Sequence, residues 1–254
     1  MINKFITAVR TLTRIPIKGK GTDNFASSLP LFPVVGFFLA AILSGIIFTI
    51  HYFSNEVWNE ATALFIIILS VLLTGALHLD GFADWADSLG AIKNKEKMLM
   101  IMKDSNIGAF GTIGITLLLL AKWIILVKLL QLNLAITGLF ISYISSRFAM
   151  VYLSVSLPYA RTENGTGKTF IQDATFKHLI IAFIISISLL LLVENIFAII
   201  IFILSLVVIF LWKLWCKKNL NGITGDLLGA GSEFVEVSTM LLIVLVYRNI
   251  FTFF

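Results

Sequence analysis

Three aspartates close a long apolar run: residues 78–88 read HLDGFADWADS, with Asp80, Asp84 and Asp87 at i, i+4 and i+7. At about 100° per residue they fall within roughly 60° of one another on a helix, so they share one face. Like charges at this spacing weaken an isolated helix by a few tenths of a kcal/mol per pair, which calls for something positive among them. Carboxylate oxygens are what hard divalent cations prefer, and Mg²⁺ commonly bridges one or two protein carboxylates to substrate phosphates. The plainer alternative is a solvated polar face where a helix leaves a membrane. Three carboxylates on one face beside lipid favour the metal site, with Asp80, Asp84 and Asp87 as its ligands.

Other polar groups fit the same chemistry. Asp226 and Glu233 stand two turns apart in NGITGDLLGAGSEF (221–234), and Lys103 and Asp104 open KDSNIGAFG (103–111). Arg161 lies in PYARTENGTGK (158–168). Carboxylates for one or two Mg²⁺, with arginines and glycine-rich turns for anions, suit phosphoryl transfer from a nucleoside diphosphate. Gly165, Gly167, Gly225, Gly229 and Gly231 can bring free N–H groups close to an anion, or simply make turns. Arg147 lies about ten residues, roughly 15 Å along a helix, from the end of its apolar run. At that depth an arginine by default faces a polar cavity or a partner. Its fork can grip a phosphate bidentately or pair with a carboxylate of the acidic helix, and both remain open. His78 is the one histidine near the cluster, as a polar anchor, a partner to a metal ligand or a proton carrier; no Ser–His–Asp arrangement has equal support.

The elements that must position these groups are membrane helices. The 254 residues are 59% hydrophobic and 13% charged, with a mean hydropathy of +0.99, far above soluble proteins. Apolar stretches at 29–52, 61–79 and 195–212 are long enough to cross a hydrocarbon core of about 30 Å. Further spans are expected at 107–130, 132–157, 177–193 and 234–254, giving an all-α polytopic integral membrane protein of about seven transmembrane helices in a single domain over 1–254. The runs are continuous rather than alternating, which argues against a barrel. Residues 1–28 form an N-terminal segment in which Ile2, Phe5, Ile6, Val9 and Leu12 recur at helical spacing, as in an interfacial amphipathic helix. The bundle occupies 29–254.

Lys and Arg residues gather before the first expected span, between the second and third (Lys93, Lys95, Lys97, Lys103), after the fourth (Arg161, Lys168, Lys177) and after the sixth (Lys213, Lys217, Lys218). The intervening loops carry none, so the N-terminus and the basic loops are expected to be cytoplasmic. Arg248 is the exception, and Lys122 and Lys128 are expected to snorkel to the outer interface. Cys216 is the only cysteine, so neither a disulfide nor a cysteine metal cluster is available.

HLDGFADWADSLGA, MKDSNIGAFG, PYARTENGTGK and NGITGDLLGAGSEFVE, with TRIPIKG and LPLFPVVG ahead of the first span, together resemble the cobalamin synthase family, the adenosylcobinamide-GDP ribazoletransferases. The resemblance runs from near the N-terminus to the last span. It implies an Mg²⁺-dependent enzyme of the prokaryotic cytoplasmic (inner) membrane, working at the cytoplasmic face, that joins adenosylcobinamide-GDP to α-ribazole or its 5′-phosphate and releases GMP. By that resemblance Asp80, Asp84, Asp87 and Asp104 are the metal and catalytic carboxylates, and Arg161 and Asp226 sit in matching motifs; Arg147, Lys103 and Glu233 are further candidates for binding the substrates. Ser88 and Trp85 depart from the family pattern, and neither is a carboxylate. Membrane lipid is an expected partner, nucleic acid is not, and the oligomeric state stays open, a homo-oligomer included. The alternatives are an ion-coupled transporter, or a related CDP-alcohol phosphotransferase, although the DGxxAR pattern of the latter is missing.

Overall fold

The structure is a computed structural model that describes every residue except Asn55, Glu163, Asn164, Thr166, Glu194, Asn195 and residues 252–254; side chains of 248–251 are also excluded. The expected 194–195 turn, the Arg248 side chain and the middle of the 158–168 segment therefore lie outside the described residues. The helices are α1 (Ile2–Leu12), α2 (Phe32–Phe53), α3 (Asn59–Thr74), α4 (Leu77–Ser88), α5 (Lys95–Ile101), α6 (Ala109–Gln131), α7 (Ala135–Ser156), α8 (Lys168–Gln172), α9 (Phe176–Val193), α10 (Ile196–Leu220) and α11 (Gly225–Phe251). A 3₁₀ turn, Phe25–Leu31, leads into α2.

Among the described residues six stretches are long and apolar enough to cross a membrane: Phe25–Phe53, Ala109–Gln131, Ala135–Ser156, Phe176–Val193, Ile196–Leu220 and Gly225–Tyr247. The expected span at 61–79 is not continuous. α3 ends at Thr74, and the chain turns by 93° before running on through α4. Gly75 (φ 65°) and Ala76 (φ 58°) both take the left-handed conformation. Their N–H groups close the helix end on the carbonyls of Leu72 and Val71, 3.3 and 3.1 Å away. Gly75 has a second constraint, because a Cβ there would collide with the Arg14 side chain. Hydropathy does not register this break, since no carboxylate, lysine or arginine interrupts residues 71–79. α4 therefore does not extend α3; it turns away and packs against α6 and α11. The last helix begins at Gly225, ahead of the apolar run expected at 234–254, and it carries Asp226 and Glu233 two turns apart at its start, as their spacing suggested.

α7 is the centre of the bundle, flanked by α2 and α11. Ser142, Ser145, Ser146 and Arg147 on it are all buried. Small residues let helix backbones approach where burial gives little drive to separate helices; a Cβ on Gly36 of α2 would run into the Tyr143 carbonyl. α6, α9 and α10 turn Leu117, Ile124, Ile184, Leu191, Val207 and Leu211 outward, as a lipid-facing surface requires. α1 has the expected amphipathic spacing, but its apolar face is covered by protein: Ile6, Val9 and Leu12 are buried. Arg10 ties it down by donating to the carbonyls of Ile17 and Gly19 at 2.8 and 3.0 Å.

Candidate active site

α4 meets α11 at two glycines. A Cβ on Gly81 would strike the backbone of Asp226, and one on Gly229 would stand 3.2 Å from the Cα of His78. This close crossing carries the polar face of α4 to the first turn of α11. Residues 158–160 and 222–224 pair beside it: Ala160 donates to the Ile223 carbonyl and Ile223 to the Pro158 carbonyl, each at 2.9 Å. The two segments singled out in the sequence are thereby joined. Arg161 follows directly, its Nη2 2.8 Å from Asp226 Oδ2 and 3.2 Å from the Met102 carbonyl. One guanidinium therefore links the 158–168 segment, α11 and the end of α5.

Around this link the charges of the described residues do not balance. Asp80 is exposed and Asp84 half-buried. Burial pushes the Asp84 carboxyl up to about 7, and the charges of Asp226, Asp80 and Asp87 push the same way against Arg161. A carboxylate in that position is short of positive charge. The donor chemistry fits a hard divalent cation. Among the described residues, however, no three His, Cys, Asp or Glu side chains stand together as a finished cage. Mg²⁺ needs no such cage when substrate phosphates complete its shell.

Asp87, the third member of the α4 triad, is already engaged. Its Oδ2 and Oδ1 accept the N–H groups of Gly108 and Gly111, both at 2.7 Å. Gly108 is the cap of α6, so Asp87 satisfies the free donors at that helix start from a neighbouring helix. Both glycines are needed, since a Cβ on either would collide with the Asp87 carboxylate. Asp104 sits on the exposed loop between α5 and α6. It accepts from the Asn106 backbone at 3.0 Å and side chain at 2.8 Å, and these bonds hold its carboxyl below the usual range. Lys103 precedes it, also exposed.

Arg147 and Glu233 lie elsewhere. Arg147 is 1% exposed and donates to Ser146 Oγ (2.8 Å), Ser232 Oγ (3.0 Å) and Glu236 Oε2 (3.2 Å). Of its two open readings, the structure shows an ion pair, with a residue of α11 in place of a carboxylate on α4. Lys122 is buried rather than snorkelling, 2.5 Å from Glu233 and 2.7 Å from Glu236. Glu233 is thus paired inside the bundle and is not beside Asp226 at the acidic face. His78 is buried too, with no hydrogen-bond partner among the described residues for either ring nitrogen; it is enclosed by protein and is not exposed as a polar anchor. Gly225, Gly229 and Gly231 belong to α11; a Cβ on Gly229 would meet His78, one on Gly231 would meet Trp212, and one on Gly167 would meet the backbone of Gly225, so these glycines serve close packing. Sequence reading missed Glu236. The available signal was charge balance, because two intramembrane cations, Lys122 and Arg147, require two anions.

The comparisons with known proteins agree on one family. Cobalamin-5-phosphate synthase matches residues 4–245. A protein of Chlorobium phaeobacteroides (strain BS1) named adenosylcobinamide-GDP ribazoletransferase is 40% identical over 238 residues, 91% of this chain and 93% of its own. Proteins with the same name from Chlorobaculum tepidum (36% over 255 residues, 99% and 98%) and Clostridium tetani (33% over 255 residues, 98% and 99%) are similar along essentially their whole length. No solved structure matches the chain.

Proposed function

The chain belongs to the cobalamin-5-phosphate synthase family, and we propose that it transfers the phosphocobinamide group of adenosylcobinamide-GDP to α-ribazole or its 5′-phosphate. The observation that carries the site assignment is the under-compensated cluster of Asp80, Asp84 and Asp226 around Arg161, at the end of the bundle where the family-like segments meet. A ribose hydroxyl oxygen of the acceptor attacks the phosphorus on the cobinamide side. The bond from that phosphorus to the GMP oxygen breaks, and GMP leaves with the electron pair. Asp84 takes the hydroxyl proton: a carboxylate whose pKa lies near neutrality is matched to that task. Arg161, oriented by Asp226, offers its remaining donors to a phosphate.

Mg²⁺, when bound, would neutralise pyrophosphate charge. Asp80 and the second oxygen of Asp226 would hold it. This revises the ligand set expected from spacing, since Asp87 is committed to α6. Lys93, Lys95 and Lys97 gather near the same end of the bundle as the site, which supports a cytoplasmic orientation in a prokaryotic inner membrane. The test is GMP release by the purified protein in detergent, given adenosylcobinamide-GDP, α-ribazole and Mg²⁺. No GMP would reject the transferase; GMP formed equally after chelation by EDTA would reject the metal requirement alone.

A further inference from the structure

A groove of about 490 Å³ opens between α7, α9 and α10, away from the acidic face. Its lining is apolar and strongly aromatic: Phe148 and Tyr152 from α7, Phe176 and Phe183 from α9, Leu206 and Phe210 from α10. Phe148, Phe183 and Phe202 pack against one another behind it, with ring centroids 5.3 to 5.9 Å apart. From Phe176 to Phe183 the groove follows α9 for about 10 Å, roughly two-thirds of one leaflet of a hydrocarbon core about 30 Å thick. All three helices are membrane-spanning, so the groove faces acyl chains.

One end of the groove is cationic. Lys213 stands one turn beyond Ile209 and Phe210, with its Nζ 5.4 Å from the centroid of the Tyr152 ring. Lys177 follows Phe176 at the same end, where α7 and α10 finish and α9 begins. Among the described residues neither lysine has a carboxylate partner. An apolar slot of leaflet depth with positive charge at the membrane surface complements a lipid carrying an anionic headgroup.

We propose that this groove is a binding site for an anionic phospholipid, one acyl chain lying against Phe148, Phe183 and Leu206 and the headgroup phosphate meeting Lys213 and Lys177. The site bears on the reaction end through α7. Tyr152 sits one turn before the end of that helix, and the chain then runs through Pro158 to Arg161. A filled groove holds the strut that carries Arg161.

The experiment is native mass spectrometry of the full chain released from nanodiscs of equimolar phosphatidylglycerol and phosphatidylcholine. The wild type should retain one phosphatidylglycerol per chain, at least tenfold over phosphatidylcholine. Leu206→Trp, which fills the open groove, should abolish retention. Lys213→Gln, which leaves the groove intact, should erase the preference between the two lipids. Equal retention of both lipids by the wild type, or undiminished phosphatidylglycerol on Leu206→Trp, would overturn the proposal. So would a dimer that Leu206→Trp converts to monomer, because a second copy would then be the occupant. Should Leu206→Trp fail to fold, the wild-type preference and its loss in Lys213→Gln still decide the matter.

Discussion

α11 carries two acidic sites that the protein treats in opposite ways. Asp226 stands in its first turn; Glu233 and Glu236 follow, the latter about 15 Å further along the axis. The deeper pair is matched: Lys122 reaches both glutamates and Arg147 reaches Glu236, two cations for two anions. Among the described residues the outer site is not matched in this way, since Asp80, Asp84 and Asp226 surround Arg161. A buried charge without a partner costs several kcal/mol, so the interior must balance. Near the surface an imbalance is tolerated, and it leaves a standing demand for positive charge that an arriving ligand can meet. The difference separates charges that hold the bundle together from charges that do chemistry.

The largest expected effect lies at the unmatched site. Asp84→Asn removes the proton acceptor and should lower GMP formation by about 10²- to 10⁴-fold, with the protein still folded. The pH dependence has a definite sign. Burial and neighbouring carboxylates raise the Asp84 pKa from 3.8 to about 7, so its proton stabilises the fold below pH 4 and that contribution is lost as pH rises through 7. Above pH 7 and without metal, Asp84→Asn should therefore melt no lower than the wild type, and turnover of the wild type should climb as pH rises toward 7 and level off above it. Wild-type turnover in the variant would move Asp84 to the structural side of the comparison.

At the matched site the expectation reverses. Glu236→Gln strands Arg147 and leaves Lys122 with Glu233 alone, which should destabilise the protein by about 3–5 kcal/mol. Combining it with Arg147→Met removes the stranded charge and should recover part of that loss, a coupling visible as non-additive melting temperatures. Turnover per folded molecule should change little. If Glu236→Gln folds normally and loses turnover instead, the interior network takes part in the reaction and the contrast along α11 fails.

Much of this was legible in the sequence because hydropathy is a summed property. The expected spans at 107–130, 132–157 and 177–193 agree with α6, α7 and α9 within a few residues. What escaped was decided by direction and by local backbone. Lys122 lies in an apolar run near an expected membrane interface, and periodicity alone cannot say whether its stem points to lipid or to α11. The break at Gly75 and Ala76 depends on two left-handed residues within a stretch whose average hydropathy stays high, so it was invisible to a window average. The acidic triad was read correctly as one helix face. Its division of labour was not, because the glycine N–H groups that engage Asp87 lie more than twenty residues away in the chain.

That division gives the smallest effect and the sharpest boundary. Asp87 shares a face with Asp80 and Asp84, yet its two oxygens cap α6. Asn at this position keeps one acceptor and turns an amide N–H₂ toward a backbone N–H, so Asp87→Asn should cost about 0.5–2 kcal/mol, the range of a lost helix cap. Gly111→Ala, which drives a Cβ into the same carboxylate, should also destabilise while leaving all three aspartates in place. Since neither change removes a ligand, the Mg²⁺ concentration for half-maximal turnover should stay within about twofold of the wild type in both. A tenfold rise in that concentration for Asp87→Asn, with an unchanged melting temperature, would place Asp87 among the metal ligands. The unmatched cluster would then extend along the whole face of α4, and the α6 start would have to find its cap elsewhere.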